Sequence, residues 1–507
     1  MGDGNIILRR DMINCVLCDD APCSKVCPKG KPDELLRNIW FDNENVAAIK
    51  YPSSNPCVAC DAPCEKECVK PNKVPIRKLM IRLNDEVKSK IKSKDNNLDD
   101  NSGVDYKELL KTDICGITLE NPFLLSSSVI SSTYDMCARA FEAGWAGASL
   151  KTICSLDIRE ASPRFSAIKG DNGSIIGFKN IEQLSEQSIE ENMDMIRRLK
   201  KEYPSKFILA SIMGKDDEEW EMISRLCEEN GADAIELNFS CPNMADGGLG
   251  SDIGLEPSLV ERFTSCARRG ANIPIFAKLT PNVTYMSPAA EAARRGGADG
   301  IAAINTIKSI VGVNVDTFVT SPDVDGMSAV GGYSGKAIKP IALRFIEELS
   351  KNDKLSGMHI SAMGGIETWR DALEFMLLGA SSIQITTSVM KHGYRIIDEL
   401  KEGLMLYLLA KGYNNISEIV GKSLNYISDT TDVLSRDTII YPVVEKDKCV
   451  GCGRCVLSCR DGGHQAIKLN EDRKPVLDGR KCVGCHLCAL VCPEDAIKPA
   501  KKRVKKR

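Results

Sequence analysis

Short apolar runs recur through the middle of the chain: 122–128 (PFLLSSS), 147–152 (GASLKT), 207–213 (FILASIM), 234–240 (AIELNFS), 274–280 (PIFAKLT), 300–306 (GIAAINT), 359–365 (HISAMGG) and 382–387 (SIQITT). Each has the length of a strand buried on both faces. Between them, segments such as 216–230, 256–269 and 368–378 repeat apolar residues at helical spacing, which predicts amphipathic helices. Eight strands alternating with helices predict an α/β chain closed into a parallel (β/α)8 TIM barrel, in preference to a doubly wound open sheet. The segment 395–430 then closes the barrel.

The pattern stops at both ends, where cysteine takes over. The chain has 507 residues and 22 cysteines, a length that allows about three domains at roughly 150 residues each. Sixteen cysteines form four tight quartets, two at each end: Cys15, Cys18, Cys23 and Cys27; Cys57, Cys60, Cys64 and Cys68; Cys449, Cys452, Cys455 and Cys459; Cys482, Cys485, Cys488 and Cys492. Each end is internally duplicated, CVLCDDAPCSKVC echoing CVACDAPCEKEC and KCVGCGRCVLSC echoing KCVGCHLCALVC. The boundaries that follow are a small N-terminal domain at 1–82, a polar Lys/Asp/Asn-rich linker at 83–104, the barrel at 105–430, a C-terminal domain at 440–500 and a solvated basic tail at 501–507.

Composition narrows the class. Hydrophobic residues at 43% and charged residues at 27% are those of a globular chain. A net charge of −3 gives no electrostatic reason to bind nucleic acid. No apolar run approaches the roughly 18 residues that span a bilayer, and the N-terminus has no apolar signal core. The expected location is the cytoplasm, where thiols stay reduced and clustered cysteines point to metal rather than disulfides.

The spacing C-x2-C-x2-C-x3-C, present twice at the C-terminal end, is that of a ferredoxin-like domain with two [4Fe-4S] clusters. Three thiolates hold three corners of a cubane while the fourth cysteine turns toward the other cluster. Cys449, Cys452 and Cys455 therefore take Cys492, and Cys482, Cys485 and Cys488 take Cys459. Structural zinc, which favours separated C-x2-C pairs, is the competing reading. By the same crossing, Cys68 completes the first N-terminal cluster and Cys27 the second, giving four clusters.

In such a barrel, chemistry belongs at the C-terminal ends of the strands. Polar residues end the runs here: Lys151-Thr152, Asn238 to Pro242, Lys278, Asn305-Thr306, Gly364-Gly365 and Thr386-Thr387. The last two suit a phosphate cradle of backbone N–H groups. Lys278, in an otherwise apolar strand, needs an anionic partner: a reduced flavin ring, or Glu236 on the neighbouring strand. Histidine is scarce, at His359, His392, His464 and His486 only, and His392 is the one candidate near the strand ends.

The motifs NFSCP (238–242), FAKLTPNVT (276–284), GGADGIAAINT (296–306), GYSGKAIKPIALRF (332–345) and GGIETW (364–369) resemble the flavin barrel of the dihydropyrimidine dehydrogenase family. The resemblance is nearest to the catalytic subunits of its bacterial NAD-dependent members and runs over roughly residues 110–498. The N-terminal quartets resemble the helical di-cluster domain of the same family and of the glutamate synthase small subunit, an addition to the bacterial catalytic subunit. The resemblance implies FMN contacts from Ser126, Lys151, Thr152, Lys278, Gly335, Met363, Gly364, Gly365, Thr386 and Thr387. It implies substrate contacts from Asn238, Phe239, Ser240, Asn305 and Thr306, with Glu160 where other members carry a substrate-binding Asn. It makes Cys241 the general acid.

The residue chemistry leads the same way. Reducing an enone-like C5=C6 bond takes a hydride to one carbon and a proton to its neighbour, so a positioned acid is required. Cys241 opens a Gly-rich loop, 243–254, suited to close over a substrate, and the Asn and Thr side chains match the alternating amide edge of a pyrimidine. The expected activity is reduction of uracil or thymine to the 5,6-dihydropyrimidine, or the reverse. Dihydroorotate dehydrogenase, an ene-reductase of another conjugated amide, and a non-catalytic electron-transfer scaffold are the rivals. No G-x-G-x-x-G follows a predicted strand, so electrons are expected from a separate FAD/NAD(P)H flavoprotein subunit or a ferredoxin, in a homo- or hetero-oligomer.

Overall fold

All eight apolar runs become strands, and the strands close into one parallel barrel. In the computed structural model, which describes Met12 and residues 14–88, 106–170, 173–243, 249–428 and 430–505, these are β1 (Phe123–Leu125), β2 (Gly147–Ser149), β3 (Phe207–Ile212), β4 (Ala234–Asn238), β5 (Ile275–Lys278), β6 (Gly300–Ala303), β7 (His359–Ala362) and β8 (Ser382–Ile385). Each pairs in parallel with its sequence neighbour, and β8 pairs with β1. The principal helices that follow the strands are α1 (Tyr134–Ala143), α2 (Ile189–Glu202), α3 (Asp217–Glu229), α4 (Pro257–Gly270), α5 (Ser287–Arg295), α6 (Lys339–Lys351), α7 (Trp369–Leu377) and α8 (Ile396–Lys411). Their starts are written in the sequence: Ser188 with Glu191, and Thr368 with Asp371, form reciprocal capping boxes, and Asp216 caps α3.

Inward positions alternate along each strand and stack in layers. Phe207, Leu209, Ala234 and Phe276 fill the bottom with Leu124, and a hairpin of Thr112–Ile114 and Ile117–Leu119 packs onto them. Above them the barrel interior turns polar. A second sheet was not foreseen: Phe165–Lys169, Ile175–Asn180, Ile307–Ser309 and Gly331–Ser334 form four antiparallel strands from two insertions.

Contacts and secondary structure run across the expected boundaries at three places. The N-terminal helices and the barrel form one compact unit through Leu424. Arg37, on the helix Pro32–Trp40, makes a buried bidentate pair with Glu399 of α8 at 2.5 and 2.9 Å, and Asn43 donates to the Glu399 carbonyl at 2.6 Å. The expected linker begins as a helical turn, Leu83–Lys88, with Leu83 buried and the Lys88 ammonium on the Tyr51 carbonyl; its remainder, 89–104, lies outside the described residues. The basic tail is partly strand, because Val504–Lys505 pairs with Thr438–Ile439; residues 506 and 507 lie outside the described residues. The second unit, Asn425–Arg507, carries two short helices, Arg454–Gly462 and Leu487–Leu490, a hairpin of Ile467–Leu469 with Pro475–Leu477, and a strand pair that joins Pro442–Val444 to Ile497–Pro499. Among the described residues no helix is long and apolar enough to cross a membrane.

Candidate active site and cluster sites

The C-terminal ends of the strands open into a cavity of about 1100 Å3. Its wall contains all ten residues expected around the flavin, from Ser126 through Thr387, together with Asn238, Cys241, Asn305 and Thr306. The strand that ends in Asn238 explains the rest of its motif. Asn238 faces inward and donates to Thr152 Oγ1 at 2.9 Å, while its own Oδ1 accepts from Ser240 Oγ at 2.9 Å. Asn305 Nδ2 donates to Ser240 Oγ at 2.9 Å. Ser240 therefore stands behind the wall and orients both asparagines. Phe239 turns the other way, its ring 5.2 Å from Trp220 of α3, so its side chain packs strand to helix and is not brought to the cavity.

Glu160 also lies off the wall. It accepts from Lys151 Nζ at 3.1 Å and from the Gln183 N–H at 2.9 Å. Lys151 reaches Glu182 at 3.5 Å, and Arg164 pairs with Glu182 at 2.6 Å. Two carboxylates and two cations thus lie together; Glu160 is engaged through Oε1, while its buried Oε2 has no hydrogen-bond partner within the protein. Burial raises the Glu182 carboxyl above its ordinary value, opposed by Lys151 and Arg164 and reinforced by Glu160.

Sequence reasoning missed Asn180, Glu182, Gln183, Asn243, Ser334 and Gln384, all on the wall. Asn180 and Ser334 sit on the inserted sheet, and Glu182 and Gln183 follow its strand Ile175–Asn180, where no strand-end pattern marks them. Asn243 ties the Cys241 loop to that sheet, donating to the Glu182 carbonyl at 2.6 Å and accepting from Gln183 Nε2 at 3.2 Å. Residues 244–248 of the Gly-rich loop lie outside the described residues. Cys241 itself is 6% exposed. Burial pushes its thiol up to about 11, with Glu160 adding to the rise and Lys151 and an Asn243 backbone bond opposing it. At neutral pH it is a protonated thiol, a proton donor in waiting.

The cavity suits a flat cofactor with an anionic tail. Gly364 and Gly365 have φ of 127° and 77°, and a Cβ on Gly365 would come within 2.8 Å of the Lys339 nitrogen and 2.9 Å of the Gly335 carbonyl. Ser128 with Thr386, and Ser334 with Thr387, gather hydroxyls at 3.3 and 3.0 Å. Gln384 Oε1, buried on the same wall, has no partner within the protein.

The structure brings the quartet cysteines together in mixed sets. One cavity of about 360 Å3 is lined by Cys449, Cys452, Cys455 and Cys492, and another of about 350 Å3 by Cys482, Cys485, Cys488 and Cys459. At the other end, Cys15, Cys18, Cys23 and Cys68 line a cavity of about 480 Å3. Cys27 is a neighbour of Cys57 and Cys64, and Cys60 of Cys57. Among the described residues no three such side chains converge on a single-ion position; the quartets surround spaces instead. Packed this way, bare thiolates would repel one another, and burial lifts the Cys15 thiol to about 11.

A closed barrel with a wall suited to a planar cofactor, joined in one chain to a cysteine-quartet domain, defines an iron–sulfur oxidoreductase. Residues 109–408 match the dihydroorotate dehydrogenase family, and residues 442–498 match the 4Fe-4S dicluster domain. The chain is 49% identical over 362 residues to the NAD-dependent dihydropyrimidine dehydrogenase subunit PreA of Escherichia coli, covering 71% of this chain and 88% of that one. It is 36% identical over 340 residues to the chloroplastic dihydropyrimidine dehydrogenase (NADP(+)) of Arabidopsis thaliana, 64% of this chain and 80% of that one. The catalytic subunit of dihydroorotate dehydrogenase B (NAD(+)) of Pyrococcus horikoshii is 36% identical over 323 residues, 63% and 99%. The chain belongs to the dihydropyrimidine dehydrogenase family, oxidoreductases acting on CH–CH bonds, within a barrel superfamily that typically binds FMN.

Proposed function

We propose that the chain reduces the 5,6 double bond of uracil or thymine, or runs the reverse oxidation, with electrons delivered through iron–sulfur clusters from a separate flavoprotein subunit or ferredoxin. The observation that carries this reading is the protonated Cys241 thiol on the same wall as Asn238, Asn305 and Thr306. Bound FMN supplies the hydride. Asn238 and Asn305, held by Ser240, present donors and acceptors to the amide edge of the base, and Thr306 adds a hydroxyl. The Cys241 thiol gives its proton to the ring carbon beside the one that gains the hydride, which completes addition of two electrons and two protons. Gly364, Gly365, Thr386 and Thr387 would hold the phosphate end of the cofactor, and Lys278 on the same wall would offer it a cation. The E. coli relative is named as a subunit, which supports a separate electron donor here. Twenty-two free cysteines favour a reducing cytoplasm.

One anaerobic assay tests the reading: reduced viologen dye as electron source, with uracil, thymine and orotate offered in parallel. Uracil or thymine should be consumed without any nicotinamide. Consumption of orotate alone would move the chain to the dihydroorotate branch.

The four cysteine sets support four cubanes. Sixteen ligands at four per cluster imply roughly 16 iron atoms per anaerobically purified chain. About eight iron with stoichiometric zinc would remove the N-terminal clusters from the proposal.

A further inference from the structure

A buried polar chain runs down the axis of the barrel, and its charged members are one cation and one anion. Lys278 Nζ on β5 donates to Glu236 Oε1 on β4 at 3.0 Å, with side-chain exposures of 3% and 0%. Ser149 Oγ donates to the same oxygen at 3.0 Å, and Gln384 Nε2 donates to Glu236 Oε2 at 3.0 Å. Three donors on two oxygens suit a carboxylate and not a carboxylic acid. Gln384 also donates to Ser361 Oγ at 3.1 Å, Ser382 Oγ donates to Ser361 at 2.9 Å, and His359 Nε2 lies 3.1 Å from Ser382. Toward the mouth, Lys278 reaches Ser126 Oγ at 3.4 Å.

The chain is not a proton wire. Gln384 joins its two halves by donating from one amide nitrogen to both sides, and an amide does not pass a proton along. Burial holds His359, at the far end, down to about 4, so that end is uncharged at neutral pH. What the network does is fix a carboxylate against the lysine that lines the cavity.

We propose that Glu236 tunes the reduction potential of the cavity's flavin by neutralising Lys278, with Ser149 and Gln384 holding the carboxylate in place. This rests on the reading that the cavity binds FMN. Two-electron reduction of a flavin with uptake of one proton leaves a negative charge on the ring. A lone lysine on the wall would favour that charge strongly, whereas a lysine already paired favours it less. Glu236 is a positioning residue: Lys278 and Gln384 line the cavity, and Glu236 stands behind them. The consequence is a flavin kept reducing enough to pass a hydride onward instead of retaining it.

The test is an anaerobic reductive titration of the full cluster-loaded chain with viologen dye and mediators, following the flavin by absorbance. The iron–sulfur midpoints in the same titration are the internal reference. In Glu236→Gln the amide replaces the carboxylate at constant shape. The reduced flavin should gain at least tenfold over the oxidised form, an upward shift of about 30 mV for a two-electron couple, with the cluster midpoints unmoved. Glu236→Asp keeps the charge and should stay near the wild-type value, which separates charge from disturbance of shape. Ser149→Ala takes one donor from the carboxylate without touching the cavity wall and should shift the flavin the same way by less; it decides the matter if Glu236→Gln does not fold. Wild-type chain without bound flavin would defeat the cofactor reading itself. Flavin bound normally, with an unchanged midpoint in Glu236→Gln or, failing that variant, in Ser149→Ala, overturns this inference alone.

Discussion

Replacing Cys241 with alanine is expected to slow turnover by roughly 10²–10⁴-fold, the usual worth of general acid catalysis, while flavin and substrate still bind. Binding should survive because the substrate edge is fixed by Asn238 and Asn305, which Ser240 holds independently of the thiol. Without the thiol, hydride transfer builds an enolate-like charge that has lost its proton donor. His392 does not fill that role. Its ring packs edge-on against Phe41 at 5.1 Å, toward the N-terminal helices, and burial lowers it to about 4. His392→Ala is therefore the control and should leave the chemical step alone. Cys241→Ser should retain a little activity as a weaker acid in the same place.

The pH dependence carries a sign. A thiol raised to about 11 holds its proton below that value and loses it above, so proton donation by Cys241 should persist from neutral pH to about 10 and fall only as pH rises toward 11. The charged neighbours are Lys151 and Glu160, with Cys154 beside them. The measurement is single-turnover reoxidation of the pre-reduced enzyme on mixing with uracil. Wild-type rates in Cys241→Ala would remove the acid from the thiol.

The second large effect concerns the joint between the N-terminal helices and the barrel. Arg37→Met should destabilise the chain by roughly 3–5 kcal/mol, because it leaves the Glu399 carboxylate buried and unpaired. Arg37 and Glu399 have side-chain exposures of 5% and 7%, so water cannot compensate either one. Arg37→Met combined with Glu399→Leu should recover most of the loss, since two apolar groups of similar volume need no partner. Lys50 and Glu402 pair nearby at 2.6 Å but with 39% and 29% exposure; Lys50→Ala should cost under about 1 kcal/mol. Denaturant midpoints of the four proteins settle the order. Equal losses for Arg37→Met and Lys50→Ala would mean that this joint is held by packing alone.

The barrel was legible because parallel strands covered on both faces are written as unbroken apolar runs. Turns such as Gly364-Gly365 and polar strand ends such as Lys151-Thr152 then mark the reactive rim. The inserted sheet was not legible, for two physical reasons. Phe165–Lys169 and Ile307–Ser309 are short and half-exposed, without clean alternation. Gly331–Ser334 pairs on one side with Ile307–Ser309 and on the other with Phe178–Asn180, about 150 residues away, and no local signal announces the distant pairing. Asn180 and Glu182 were lost with it. Phe239 illustrates the opposite error: a motif names five consecutive residues, but alternation sends neighbouring side chains to opposite faces, and only some can meet a ligand.

The exchange of cysteines between the duplicated halves of the C-terminal unit bears on how that unit could have arisen and how it fails. Cys459 leaves its own triplet to line the space of Cys482, Cys485 and Cys488, and Cys492 returns the exchange. Neither half is then a self-sufficient module. A truncation after Asp478 would not leave one intact electron relay but a single three-cysteine remnant and a stranded Cys459. The arrangement needs both copies of the segment present, in one chain or in two. In the cell, oxidative loss of one cluster frees a cysteine anchored in the other half, so damage to either site loosens both.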